Sequence, residues 1–110
     1  MQFYRDTHTN ATPSPALVKA ALINSAIDMD NASGTDFVPN MDEGWGRIDL
    51  TQIIGSPRRV LFEDQREPLI TGQISERKVV VGSRTLPLKI TLTYTDVPGL
   101  PAAIPALVND

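Results

Sequence analysis

The chain has no cysteine, few aromatic residues, a single histidine and no long apolar run. The absence of cysteine excludes a disulfide framework and a thiolate zinc site. No apolar run approaches the roughly 18 residues of a membrane-spanning helix, so we expect no membrane span. The net charge of −3 is small, and lysine and arginine form no cluster, so we expect no nucleic-acid partner.

What is present is ordinary for a folded chain of 110 residues, with 41% hydrophobic and 21% charged residues. Residues 1–55 hold three basic and seven acidic side chains, whereas residues 56–110 hold seven and six. This change in charge falls near Gly55-Ser56-Pro57, where the hydrophobic period also changes. The sequence therefore predicts two units, a helical one over 1–55 and a β-rich one over 56–110.

Local signals predict helices in the first unit. Phe3 and Tyr4 fit the end of a helix. Ser14 is a good N-cap and Pro15 suits a first helical position, which predicts a helix over Pro15–Ile27. Apolar residues surround this helix, a pattern typical of a helix that is buried on several sides.

A polar loop, Asp28–Glu43, follows the predicted helix. Gly44 and Gly46 flank Trp45, which indicates a turn that side chains would obstruct, with a buried indole packed over it. Arg47 is expected to satisfy nearby carboxylates or carbonyls. Apolar residues between Ile48 and Ile54 predict a short helix that stops at Gly55-Ser56-Pro57.

In the second unit the hydrophobic period is two. We expect strands over Arg58–Glu63, Leu69–Ile74, Lys78–Val81 and Leu86–Thr95. In the last strand four apolar residues alternate with lysine and threonine, which predicts a buried apolar face: Leu88, Ile90, Leu92 and Tyr94. The predicted fold class is α+β, with an N-terminal helical segment followed by antiparallel strands of a partial, jelly-roll-like β-sandwich.

Few residues offer chemistry. His8 stands alone in a polar loop and is interpreted as a solvated surface group. Asp28–Asp36 is rich in oxygen ligands of the kind calcium prefers, but Ala32 and Ser33 break the EF-hand pattern, so a connecting loop is the favoured interpretation. The sequence therefore predicts no catalytic, cofactor-binding or metal-binding residue.

Two parts of the chain carry motifs of a known family. The stretch Ser14–Ala26, with its proline-started helix, followed by Gly44-Trp45-Gly46-Arg47, resembles the stretch downstream of the nucleophile in subtilisin-like serine peptidases. Leu88–Gly99 and Ala106–Asp110 are similar to the start of the β-domain that follows the catalytic domain in one branch. The three motifs that hold the Ser-His-Asp triad do not occur, so no catalytic role is carried over onto this sequence.

The resemblance implies a non-catalytic fragment whose triad lies upstream of Met1 and which is inactive alone. Its partner would be the remainder of the peptidase chain. The parent would act on polypeptide substrates, would be secreted or extracellular, and would be the place for any calcium, since Asn109-Asp110 matches only half of a family motif. The alternative is a stand-alone β-rich binding or structural module of a surface protein. Because the helix and a strand edge would be left uncovered, we also expect this chain either to form a homodimer or to leave its N-terminal third poorly ordered.

Overall fold

The computed structural model describes residues 2–9, 11–29, 38–55, 59–70, 72–96, 98–102 and 104. Its elements, in chain order, are helix α1, helix α2, strand β1, strand β2 and a short 3₁₀ helix: Gln2–Thr7, Pro15–Ser25, Ala26–Ile27, Arg47–Ile48 and Leu50–Gln52. Two helices and a two-stranded antiparallel sheet make a small α+β arrangement, which confirms the predicted class at this level.

Helix α2 begins as its sequence predicts. The Ser14 side chain accepts a hydrogen bond from the Leu17 amide at 3.1 Å, and Pro15 is the first helical residue. The helix ends at Ser25, two residues before the predicted end. Ala26 turns to extended backbone (φ −68°, ψ 141°) and starts β1, which pairs with a strand some twenty residues further along the chain.

The best-buried part of the described chain lies where α2 meets β2. Strand β1 pairs antiparallel with β2, placing Ala26 opposite Ile48. Ser25 is fully buried at this junction, where its hydroxyl donates to the Leu22 carbonyl at 2.8 Å. Its own carbonyl accepts from the Asp49 amide at 3.3 Å. The end of α2 is therefore tied to β2 and to the residue that follows it.

Gly46 permits this junction for two reasons. Its φ of +89° is a left-handed conformation that other residues adopt only with strain. A Cβ atom would also stand 2.3 Å from the Ile27 carbonyl oxygen, far inside van der Waals contact. At Gly44, where φ is +60°, a Cβ atom would meet nothing within 4 Å. The second glycine of the Gly-Trp-Gly-Arg turn is thus the sterically demanding one.

The second unit differs from its prediction. No helix or strand occurs within the described ranges 59–70 and 72–96. Of the predicted strands, Arg58 and Thr71 lie outside the described residues, as do Ser56 and Pro57 of the predicted boundary. The division at residue 55 and the β-sandwich therefore stay predictions.

The prediction that the apolar face of Leu86–Thr95 is buried is wrong. Ile90 and Leu92 are 75% and 84% exposed, and Leu88 and Tyr94 are also more than half exposed. Thr91 and Thr93, which were expected in water, are half-buried. The reason is that these hydroxyls bond to α2, while no second apolar layer lies against the leucines within the described chain.

We expect Gly46→Ala to destabilise the chain more than Gly44→Ala. An alanine at positive φ costs about 1 kcal/mol, and overpacking against Ile27 raises the total at position 46 to about 3 kcal/mol. Urea unfolding followed by circular dichroism measures both, with Gly44→Ala as the matched control. Equal losses for the two variants would contradict the proposed close approach.

Candidate functional site: the surface of helix α2

Polar side chains of the second unit bind the N-terminus of α2. The Ser14 amide donates to Asp64 Oδ2 at 2.9 Å, and the Asp64 side chain is only 7% exposed. Arg66 donates to the Thr12 carbonyl and lies 3.5 Å from Asp64 Oδ2. A carboxylate at this place is also favoured by the partial positive charge of the helix N-terminus.

The ionisation of Asp64 follows from these contacts. Desolvation by burial favours the neutral acid, but hydrogen bonds from the side chain and backbone of Ser14, together with the charge of Arg66, outweigh it. The pKa of Asp64 is therefore held below its ordinary value. The carboxylate is charged at neutral pH and is part of the helix cap.

A second set of polar contacts runs along α2 to its C-terminal end. Asn24 Nδ2 donates to the Lys89 carbonyl at 3.2 Å and to Thr91 Oγ1 at 2.9 Å. Lys89 Nζ donates to the Ala26 carbonyl at 2.9 Å. Thr93 Oγ1 donates to the carbonyl of Ala16, near the start of the helix, at 2.6 Å. Alternate residues from 89 to 93 thus hold one chain segment against the helix.

His8 lies in an aromatic cluster and is not the solvated group expected. Its ring stacks on Tyr4 with centroids 4.2 Å apart and planes 10° apart, and Phe62 contacts both rings edge-on. Nδ1 lies 2.8 Å from Thr7 Oγ1. The half-buried ring is drawn in because residues 4 and 8 are one helical turn apart and Phe62 covers them. These contacts make His8 a packing residue.

An apolar groove separates α1 from α2 and the 3₁₀ helix. Its cavity is about 180 Å³. Nearly all of the lining side chains are apolar: Phe3, Tyr4, Pro13, Leu17, Val18, Ala21, Leu22, Leu50, Ile53, Ile54 and Phe62. Leu50 and Ile54 remain about half exposed, so the groove is accessible to apolar groups from outside.

Trp45 is only partly covered, and the prediction that it is buried is wrong. Its side chain is 53% exposed. It lines a second cavity of about 200 Å³ together with Leu22, Ile23 and Ile48 at the end of α2. The flanking glycines place the indole at the rim of the junction, so it covers α2 on one side and remains accessible on the other.

The neighbouring Arg47 is exposed and acts through its charge. Hydrogen bonds from the Thr51 side chain (2.7 Å) and amide (3.0 Å) are the main reason that the pKa of Asp49 lies below its ordinary value. The Coulombic attraction of Arg47 adds to this lowering. Arg47 therefore adds a small charge contribution to a nearby carboxylate, and the expected hydrogen bonds of its guanidinium to carboxylates or carbonyls stay a prediction.

The structure adds no assigned ligand site. Of the oxygen-rich loop Asp28–Asp36, only Asp28 and Met29 are described, and Asn109-Asp110 lies outside the described residues. Within the described chain, no three His, Cys, Asp or Glu side chains converge in a way that would hold a metal ion. In the same part of the chain, no helix has the length and apolar character needed to cross a membrane.

The accessible surface is the most informative property of the chain as a whole. It amounts to 9631 Å² for 12.0 kDa, whereas a compact monomer of this mass exposes about 6,000 Å². The radius of gyration is 16.7 Å, against about 13 Å for a compact domain of this length. A surplus of this size leaves more surface than the roughly 800 Å² per partner that a standard interface takes.

Comparison of the chain with protein-family models, with curated proteins and with solved structures finds no match. Arguments about function therefore rest on the residues and contacts described above.

We expect the Asp64 cap to make stability depend on acidic pH. Because the folded pKa is lowered, the stabilisation is fully present above the unfolded value of about 4 and is lost as the pH falls through the folded pKa. Thermal unfolding between pH 2 and about 7 measures this loss, and Asp64→Asn should flatten the profile. Glu67→Gln, which changes an exposed neighbouring carboxylate, is the control. An unchanged profile in Asp64→Asn would contradict the cap.

Proposed function

We propose that this chain is a non-catalytic part of a subtilisin-like serine endopeptidase. In this proposal helix α2, the groove beside it and the Gly44–Arg47 turn pack against the remainder of the peptidase. The observation that carries it is the surplus of about 3,600 Å² over a compact monomer. A surplus of this size exceeds the roughly 800 Å² per partner of a standard interface.

The contacts between the two resembling stretches support the proposal. One stretch contains α2 and the Gly44–Arg47 turn, and the other begins at Leu88. Asn24 and Thr91 join them directly at 2.9 Å, and Lys89 bonds to Ala26, the residue that follows the helix. Stretches that follow one another in the family's order are therefore also neighbours in space.

The geometry of the turn also supports it. Gly46 is required by a positive φ and by the close approach of Ile27, while Trp45 is left half exposed at the rim. Tryptophan at the rim of an apolar cavity, as Trp45 is at the second cavity, is among the residues that often anchor interfaces. The peptidase would cover both features when it packs against α2.

The parent enzyme would hydrolyse peptide bonds of polypeptide substrates through a serine acyl-enzyme, with its triad upstream of this chain. The chain described above would brace that catalytic domain or modulate access to it. Strands belonging to the parent would complete a β-sandwich with residues 59–96. Any calcium, and an extracellular location, would be properties of the parent.

The coding sequence upstream of Met1 tests the assignment. A Gly-Thr-Ser-Met-Ala motif a short distance before Met1, with Asp-Ser/Thr-Gly and His-Gly-Thr motifs further upstream, is the expected finding. A surface-protein stalk or repeat in that place would favour the alternative, a stand-alone β-rich binding or structural module.

The chain alone is expected to have no peptidase activity. Acyl transfer needs a serine beside a general base and an oxyanion hole, and the sequence carries none of the three triad motifs. A serine-directed fluorophosphonate probe and a casein digestion assay measure this, with an active subtilisin as the positive control. Stoichiometric labelling of any serine would contradict the proposal.

A further inference from the structure

In residues 86–95, hereafter the 86–95 segment, one face contacts α2 and the other face is exposed. Lys89, Thr91 and Thr93 bond to α2. The even-numbered residues are apolar and between 45% and 84% exposed: Leu86, Leu88, Ile90, Leu92 and Tyr94. Alternation with period two is the side-chain arrangement of an extended strand.

The backbone hydrogen bonds of this segment also lie at one edge. Between residues 74 and 93 no hydrogen bond joins two described backbone groups. Successive residues of an extended chain direct their N–H and C=O groups to opposite edges. The Lys89 carbonyl is engaged by Asn24 at the edge near α2. Pro87, which has no N–H, belongs to that same set of residues, so the N–H donors of Leu88, Ile90 and Leu92 lie at the other edge, where no described backbone group bonds to them.

The geometry points to pairing of this open edge with the same edge of a second copy of the chain, antiparallel and centred on Ile90. This inference is independent of the proposed peptidase origin. A strand edge with free donors and acceptors is a template for another strand, and a two-fold axis makes such a contact self-complementary.

The sequence pattern selects both the occupant and the register. Centring on Ile90 places Leu88 opposite Leu92 and Leu86 opposite Tyr94, so five apolar positions match on one face. Lys89 then lies opposite Thr91, and no two like charges are directly opposed. Centring on Leu88 would set Arg84 against Leu92, and centring on Leu92 would set Asp96 against Leu88. A shift in either direction therefore places a charge against an apolar residue.

The surface of the chain is sufficient for such a dimer. Its surplus of about 3,600 Å² exceeds the roughly 800 Å² that a standard interface takes from each partner. The open face continues from Ile90 to Leu92, the most exposed of its five side chains.

Cysteine cross-linking of the full chain tests the register, because the natural sequence has no cysteine. In the proposed pair the two Cα atoms of position 90 lie about 5.5 Å apart, within disulfide reach. The two Cα atoms of position 92 are four residues out of register, about 13 Å apart. Ile90→Cys should therefore form a disulfide dimer at least about tenfold faster than Leu92→Cys, its control on the same face.

A mixture of Leu88→Cys and Leu92→Cys should also cross-link, because these positions face each other. Equal rates for Ile90→Cys and Leu92→Cys would overturn the register. Absence of any cross-linked dimer with Ile90→Cys and with the mixture would overturn the pairing itself.

Sedimentation over a dilution series of the unmodified protein provides the second test. Ile90→Lys places like charges opposite one another and should raise the dimer dissociation constant at least about tenfold. Val80→Lys, at a residue that is 97% exposed outside the segment, should change it less than about twofold. Circular dichroism verifies that both variants keep their helices. A monomer at every concentration up to about 1 mM would overturn the inference and leave an edge that binds a different polypeptide.

Discussion

The hydrogen bonds between helix α2 and the second unit are the constraint on which the arrangement depends. Asp64 binds the first turn of the helix, and Asn24 binds Lys89 and Thr91 near its last turn. These directional contacts place residues 89, 91 and 93 of the 86–95 segment on the side that faces the helix. Polar groups placed in this way cost free energy if they lose their partners, so the contacts select one orientation of the segment.

The parts of the fold that were predicted correctly depend on neighbours in sequence. Ser14 and Pro15 specify the start of α2 through a cap that needs only the Leu17 amide three residues later. The predicted end of α2 is two residues too late, because β1 forms against Arg47 and Ile48. No pattern within the helix contains that information.

The orientation of residues 86–95 illustrates the same limit. Period two establishes which side chains share a face, and the structure keeps that alternation. It does not determine which face is covered, since that depends on what the rest of the chain offers. α2 offers the Ala16 carbonyl and the Asn24 amide, and Ala26 directly after it offers another carbonyl, so lysine and threonine turn towards the helix. The same limit applies to Trp45 and His8. Trp45 lacks a covering layer, whereas Phe62 covers His8.

The exposed apolar face has a consequence for function. Leucine, isoleucine and tryptophan side chains are exposed in the described chain, so hydrophobic driving force remains available for association. The groove beside α2 and the open edge at Ile90 involve different residues, so one polypeptide can occupy the first while another pairs with the second. The proposed bracing of a larger enzyme and the proposed pairing with a second copy are therefore compatible in a single chain.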